Sequence, residues 1–303
     1  MIDIDDAYDL HVHSAPCLFP RIADDLTIAE AAQAAGLRGL VLKSHHEPTV
    51  GRAAAVNAAL ARRDNAPTLT AFGAITLNHA VGGVNPAAVE AALKTGARLV
   101  WMPTVDSRAH AEAFGHTGGW DVQGAAPEAA PRAARLAPLT ILAEGRLTAA
   151  ATDVLRLCRE RNVALATGHL GRDEIFALAR FARAQRFERL VVTHPLFKVP
   201  RLDTALLVEL AAPGVYFEFT YCALSPMWRH TTIDETAAAI RAVGVERAFL
   251  TSDGGQTHNP MPHEGLRLMA QMCAEKGFTE AEIDGLIRRV PAQLVGDRVR
   301  SGS

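Results

Sequence analysis

His11 and His13 stand two residues apart in Asp9-Leu-His-Val-His13, at the end of an apolar run. Alternate residues of a strand project to one face, so both imidazoles can reach one point, and neutral imidazole is a ligand for zinc and its transition-metal neighbours. An apolar run ending in a ligand-type residue recurs three times downstream. Val163-Ala-Leu-Ala-Thr-Gly leads into His169, Leu190-Val-Val-Thr into His194, and Ala248-Phe-Leu-Thr-Ser into Asp253. Such a set suits a divalent metal, zinc first and Mn2+ or Fe2+ as alternatives, as one ion or two. An ion with an open coordination position lowers the pKa of bound water toward about 7 and polarises a carbonyl, which is the chemistry of hydrolysis. In that chemistry His11, His13 and His169 are ligands, His194 is a ligand or a transition-state stabiliser, and Asp253 is a ligand that also carries protons.

These residues can meet only if the fold brings distant strand ends together. Short β-type runs at 8–13, 38–45, 68–76, 97–102, 163–166, 189–193, 215–221 and 247–252 alternate with alanine-rich helical stretches such as 26–35, 86–94, 150–161, 172–184, 204–211 and 232–242. Eight strands with helices between them predict an α/β fold, a (β/α)8 TIM barrel with room for distortion, whose C-terminal strand ends converge on one site. At 303 residues the chain fits one such domain, with a lid-like insertion at 104–148 and C-terminal helices at 262–303. The insertion holds a predicted hairpin turning at Glu144-Gly145, and Trp120, Arg132 and Arg146 as substrate-facing candidates.

Further candidates follow from strand ends and mouth loops. The second strand ends Leu42-Lys43-Ser-His45-His46, and alternation puts Lys43 and His45 on the inward face. His45 reads as a further metal ligand. Lys43 reads as a carbamylated metal bridge, a cation stabilising an oxyanion or substrate carboxylate, or a surface lysine. Asn78, Thr104, Glu218 and Tyr221 fall at strand ends, where groups orienting a substrate sit. Arg21, Arg146 and Arg229 lie in predicted loops at the mouth and can pair with a substrate carboxylate. His46, His79, His110, His116, His230, His258 and His263 read as solvated loop residues.

Bulk properties narrow the partners. A formal charge of −2 and no Lys/Arg cluster give no footprint for nucleic acid, leaving a small-molecule substrate. The acidic start is unlike a signal peptide, and no segment approaches the ~20 apolar residues of a membrane span, so the chain reads as cytoplasmic. The scattered Cys17, Cys158, Cys222 and Cys273 suggest neither disulfides nor a cysteine zinc site. Oligomeric state stays open, with a homodimer among the options.

The pattern of His11-Val-His13 on strand one, a His closing each of strands five and six, and Asp253 closing strand eight resembles the amidohydrolase superfamily. The resemblance spans nearly the whole chain and points to a sparsely characterised bacterial branch of metal-dependent hydrolases. Val290-Pro-Ala-Gln-Leu-Val-Gly296 is similar to the Asn-Pro-Ala-x-x-Leu-Gly stretch that often closes these proteins. One departure stands out. Strand four, Leu99-Val-Trp-Met-Pro-Thr104, lacks the Lys or Glu that bridges paired ions in that superfamily, and Lys43 and His45 are the candidates to replace it. The N-terminal half also resembles the polymerase and histidinol phosphatase (PHP) barrels. Asp9 to Ser14 matches their Asp-Leu-His-x-His-Ser and Lys43-Ser-His45 aligns with Thr-Asp-His, but their later Glu and final Asp-x-His are not found. The resemblance therefore implies a hydrolase acting on an amide, lactone or ester-like bond. The alternatives are a PHP-like phosphoesterase, a decarboxylase or hydratase, or a non-catalytic ligand-binding barrel.

Overall fold

Apolar β-branched runs that alternate with capped, alanine-rich segments leave each strand two faces to bury, one against helices and one inward. The computed structural model describes residues 2–64, 66–119 and 136–297, and in them this pattern becomes a barrel. The strands are β1 (Tyr8–Val12), β2 (Gly39–Leu42), β3 (Thr70–Phe72), β4 (Ala74–Thr76), β5 (Leu99–Trp101), β6 (Leu142–Ala143), β7 (Arg146–Leu147), β8 (Ala164–Ala166), β9 (Leu190–Val192), β10 (Val215–Thr220) and β11 (Ala248–Thr251). β1, β2 and β3 form one parallel sheet, and β4, β5, β8, β9, β10 and β11 are hydrogen-bonded in that order in a second. β3 and β4 are one strand broken at Gly73, where any side chain would collide with the backbone of Val50. The two sheets thus continue each other as the eight parallel strands expected. Between β11 and β1 no ladder forms. A single bridge joins Val12 to Gly254, and the Asp9 carboxylate accepts from the Ser252 amide at 3.1 Å.

Helices α1 (Asp25–Ala34), α2 (Val50–Arg63), α3 (Pro86–Thr95), α4 (Arg108–Phe114), α5 (Ala149–Glu160), α6 (Arg172–Ala184), α7 (Thr204–Leu210), α8 (Tyr221–Leu224), α9 (Ile233–Val243), α10 (Pro262–Glu275), α11 (Glu280–Asp284) and α12 (Val290–Val295) follow. Side-chain caps from Asp24, Asn85, Thr148 and Asp203 satisfy the free amides of α1, α3, α5 and α7. Outward strand residues such as Leu40, Leu165 and Leu250 pack on this helical layer. Inward residues Tyr8, Leu10, Leu99, Trp101, Val191 and Phe249 form a second core with Val290, Leu294 and Val295, so α12 plugs the N-terminal end of the barrel. That is the stretch singled out at the chain's end. The insertion contains α4, where no helix was expected, and the antiparallel β6–β7 hairpin turning at Glu144-Gly145 as expected. Trp120 and Arg132 lie outside the described residues. No described helix is long and apolar enough to cross a membrane.

The seam makes a testable point. Asp9 is fully buried, accepts from the amides of both Ser252 and His11, and is pushed up to about 7 by burial. Asp9→Ala should destabilise the fold by roughly 1–3 kcal/mol, the cost of stranding buried donors, whereas Asp9→Asn keeps an acceptor and should cost less. Chemical denaturation measures both, and equal losses would mean that the amides do not depend on this acceptor.

Candidate metal centre

The first strand reaches the site through an irregularity. Asp9 pairs with Leu40 but Val12 with Leu42, so β1 holds one residue more than β2 over that interval. Tyr8 and Leu10 face the inner core, and the bulge lets His11 face inward as well, with Val12 outward and His13 inward again. On β2 plain alternation brings Val41 inward, then Lys43 and His45. Gly168, at φ +57°, turns the chain into His169, and a side chain there would collide with the Met102 carbonyl. His194 and Asp253 themselves adopt left-handed backbone, at φ 25° and 45°. Such conformations cost about 1–3 kcal/mol and persist where the surroundings over-determine them, as at functional sites.

The five histidines close a circuit. Ring centroids are 5.2 Å apart for His11 and His13, 4.8 Å for His13 and His45, 6.4 Å for His45 and His169, 5.1 Å for His169 and His194, and 6.1 Å for His194 and His11. Asp253 Oδ1 lies 3.1 Å from His11 Nε2 and 3.3 Å from His13 Nε2. One ligand atom from each of His11, His13 and Asp253 falls within 4.8 Å of the others. Beneath them Trp101 forms a floor, 5.6 Å from the His11 ring.

Buried partners set the protons. Glu218 Oε1 lies 2.9 Å from His11 Nδ1 and also accepts from Thr251 at 3.1 Å. Burial would raise this carboxyl, but His11 holds it down at about 2, so it only accepts and His11 Nδ1 carries the proton. His11 Nε2 then presents its lone pair toward the Asp253 oxygen, two acceptors that need a cation beside them, and the Lys43 ammonium 2.8 Å from that nitrogen is the one this structure supplies. His169 is fixed the same way at one remove. His110 Nε2 donates to the Gly119 carbonyl at 2.7 Å, so its Nδ1 accepts from His169 Nδ1 at 3.0 Å and leaves His169 Nε2 unprotonated. Burial drives His13, His45 and His169 well below the usual histidine range and His194 to about 3, which keeps these rings neutral. Neutral imidazoles beside a carboxylate are a donor set that fits a divalent transition metal.

Lys43 is 2% exposed, which removes its surface reading. Its Nζ donates to His11 Nε2 at 2.8 Å and lies 4.9 Å from the Trp101 ring. Burial lowers it to about 8 against the pull of Asp253 and Glu218. Burial also raises the Asp253 carboxyl, with His11 and Lys43 opposing.

The circuit borders a cavity of about 250 Å3 lined by His13, Lys43, His45, His169, His194 and Asp253, and beyond them by aromatic residues and Arg21. Asp253 is its only carboxylate among the described residues. Of the predicted substrate contacts among the described residues, Arg21 alone lines it. Glu218 is instead buried behind His11. Asn78 is fully buried below His45, accepting from the Thr104 amide at 2.8 Å and donating to Thr104 Oγ1 at 2.7 Å, which in turn meets His45 Nδ1 at 2.9 Å. Arg146 is exposed on β7, away from the cavity lining, and Arg229 does not line the cavity either. The seventh strand stops at Thr220, so Tyr221 starts α8 and lies against Gly265 instead of lining the cavity.

His110, expected in solvent, is fully buried behind His169, because the connection that carries it folds into α4. His230 packs against Phe197 and His258 lines the cavity, so neither is a free loop residue. Glu218 did leave a signal: in Val-Tyr-Phe-Glu-Phe-Thr a lone acid interrupts a buried strand, and a buried charge needs a partner. Glu218→Gln should weaken metal retention by about 10- to 100-fold, the usual effect of losing the group that orients a ligating histidine. Competition against a chromogenic chelator measures it, and unchanged retention would remove the orienting role.

A sequence family described only as a family of unknown function, DUF6282, matches residues 6–218. No curated protein matches the chain. Among solved structures, the chain is similar to an amidohydrolase from Pseudomonas aeruginosa, with 13% identity, a TM-score of 0.65 and coverage of 97% of this chain and 96% of that one. It is similar also to an amidohydrolase from Burkholderia multivorans, with 14% identity, a TM-score of 0.56 and coverage of 96% and 99%. A third similar structure is a mutant of an organophosphorus hydrolase from Deinococcus radiodurans, with 15% identity, a TM-score of 0.54 and coverage of 97% and 94%. At these identities the likeness is one of fold, and it is the fold that the amidohydrolase resemblance implied. The chain therefore belongs to the DUF6282 family, built on a barrel that it shares with amidohydrolases.

Proposed function

We propose that the chain is a metal-dependent hydrolase that cleaves an amide, lactone or ester-like bond of a small molecule at the carboxyl ends of the barrel strands. One observation carries this reading: ligand atoms of His11, His13 and Asp253, brought from opposite ends of the sequence, converge where His13 and Asp253 line a cavity open to a ligand. His11, His13 and Asp253 hold the ion, with His45, His169 and His194 around the same cavity as further ligands or as groups that stabilise charge. A divalent ion bound there, zinc in the first instance, supplies Lewis acidity to a water and to the substrate carbonyl.

The protein's own groups do the rest. Glu218 keeps the His11 lone pair turned to the ion. Asp253 takes the proton of the attacking water and delivers it to the leaving group, a task suited to a carboxyl raised by burial. Lys43, held beside His11, faces the negative charge that develops on the substrate oxygen. The aromatic lining keeps bulk water from the reacting carbonyl. The phosphoesterase alternative calls for additional acids around the ions, and the cavity lining offers Asp253 alone among the described residues.

The test is metal content of the purified protein, followed by chromogenic amide, lactone and phosphate ester substrates with and without a chelator. We expect bound metal, turnover of an amide or lactone that chelation abolishes, and a loss of about 10²- to 10⁴-fold in Asp253→Asn. Turnover that survives both chelation and Asp253→Asn would overturn the proposal.

A further inference from the structure

The part of the cavity not built from the histidine circuit has a composition of its own. Phe197 lies 5.0 Å from His194 and 5.6 Å from Trp228, and Trp228 lies 6.1 Å from His258, so an aromatic shelf runs outward from the circuit. On another side Phe19 stands 5.9 Å from His45, and the Arg21 guanidinium lies 5.7 Å from the Phe19 ring. Arg21 Nε and Nη2 are buried and meet no oxygen or nitrogen acceptor among the described residues, the Cys17 sulfur being the group beside the guanidinium. A guanidinium withdrawn from water in this way is costly unless an acceptor meets it.

Arg21 is held in place by its backbone. Its loop is tied by Ala15 N to Ala23 O and Ile22 N to Gly255 O, both 2.9 Å, and Arg21 itself bridges to Gln256. Arg52 braces the loop from below, with 2.8 Å bonds from Nε and Nη2 to the two Asp25 oxygens and one of 3.1 Å to the Pro16 carbonyl. The Arg21 charge reaches the circuit, acting on His13, Lys43 and Asp253. Among the described lining side chains Arg21 and Lys43 are cationic and only Asp253 is anionic, so the cavity favours an anion even before an ion is added. Two donors without an oxygen partner on one edge of a planar fork match the two oxygens of a carboxylate.

On the basis of the hydrolase reading, we infer that the substrate is a carboxylate whose anionic group pairs with Arg21 while its flat apolar body lies on Phe197 and Trp228. The probe is benzoate, set against neutral benzamide and against phenylphosphonate, in calorimetric titrations of metal-loaded wild type, chelator-stripped wild type, Arg21→Met and Arg21→Lys. Benzoate should bind wild type about ten-fold or more tightly than benzamide, the weight of one hydrogen bond to a charged group. That preference should survive removal of the metal, vanish in Arg21→Met and fall in Arg21→Lys, which keeps the charge but loses the fork.

The inference is overturned by a preference that disappears with the metal, by one that persists in Arg21→Met, by phenylphosphonate binding more tightly than benzoate, or by no benzoate binding at millimolar concentration. The stripped wild-type arm decides the matter even where a variant fails to fold. Because binding is read and not turnover, such a failure leaves the hydrolase reading standing, while intact preference without any hydrolysis sinks that reading alone.

Discussion

The contact between Glu218 and His11 governs the site. A buried carboxylate pressed against one imidazole nitrogen decides which nitrogen carries the proton, and so which lone pair faces Asp253. The Glu218 charge can stay buried because Thr251 also donates to it, while Lys43 donates to the other nitrogen of the ring. The same logic repeats through neutral groups at His169, where His110 and the Gly119 carbonyl fix the tautomer. At His11 this orientation does not depend on loops, since Glu218, Thr251 and His11 are all strand residues, whereas at His169 it comes from the connection that carries α4.

The barrel's departures from regularity fall where this centre needs them. The extra residue in β1 turns His11 inward directly after Leu10, the left-handed residues His194 and Asp253 turn their strands back to the cavity, and the seam beside Asp253 is closed by Asp9. Regular pairing between β1 and β2 would leave His11 on the face opposite Leu10 and away from Asp253. At the other end of the barrel the requirement is only to exclude water, and α12 meets it with Val290, Leu294 and Val295.

How much of this was legible in the residues differs from part to part. The strands and the ligand-type residues at their ends were readable, because apolar runs of strand length stop at His13, His169, His194 and Asp253 and because a parallel barrel gathers such ends. The bulge was not readable. His11 and His13 were placed on one face by simple alternation, which holds between those two residues but not back to Leu10. Tyr221 and Glu218 went astray for opposite reasons: one by a strand boundary a residue too long, the other because a mid-strand acid was read as facing substrate when it serves a histidine. His110 was hidden by a long connection rich in alanine, glycine and proline, whose composition gave no sign of α4. Tautomers and buried partners arise from tertiary contacts that local pattern does not encode.

The central claim is that these imidazoles and Asp253 share one cation. X-ray absorption at the K-edge of the metal carried by the purified protein tests it most directly. The account predicts nearest neighbours that are only nitrogen and oxygen, at about 2.0–2.1 Å, with the outer-ring scattering of several imidazoles. Sulfur neighbours at about 2.3 Å, or a fully hydrated ion without imidazole scattering, would contradict it.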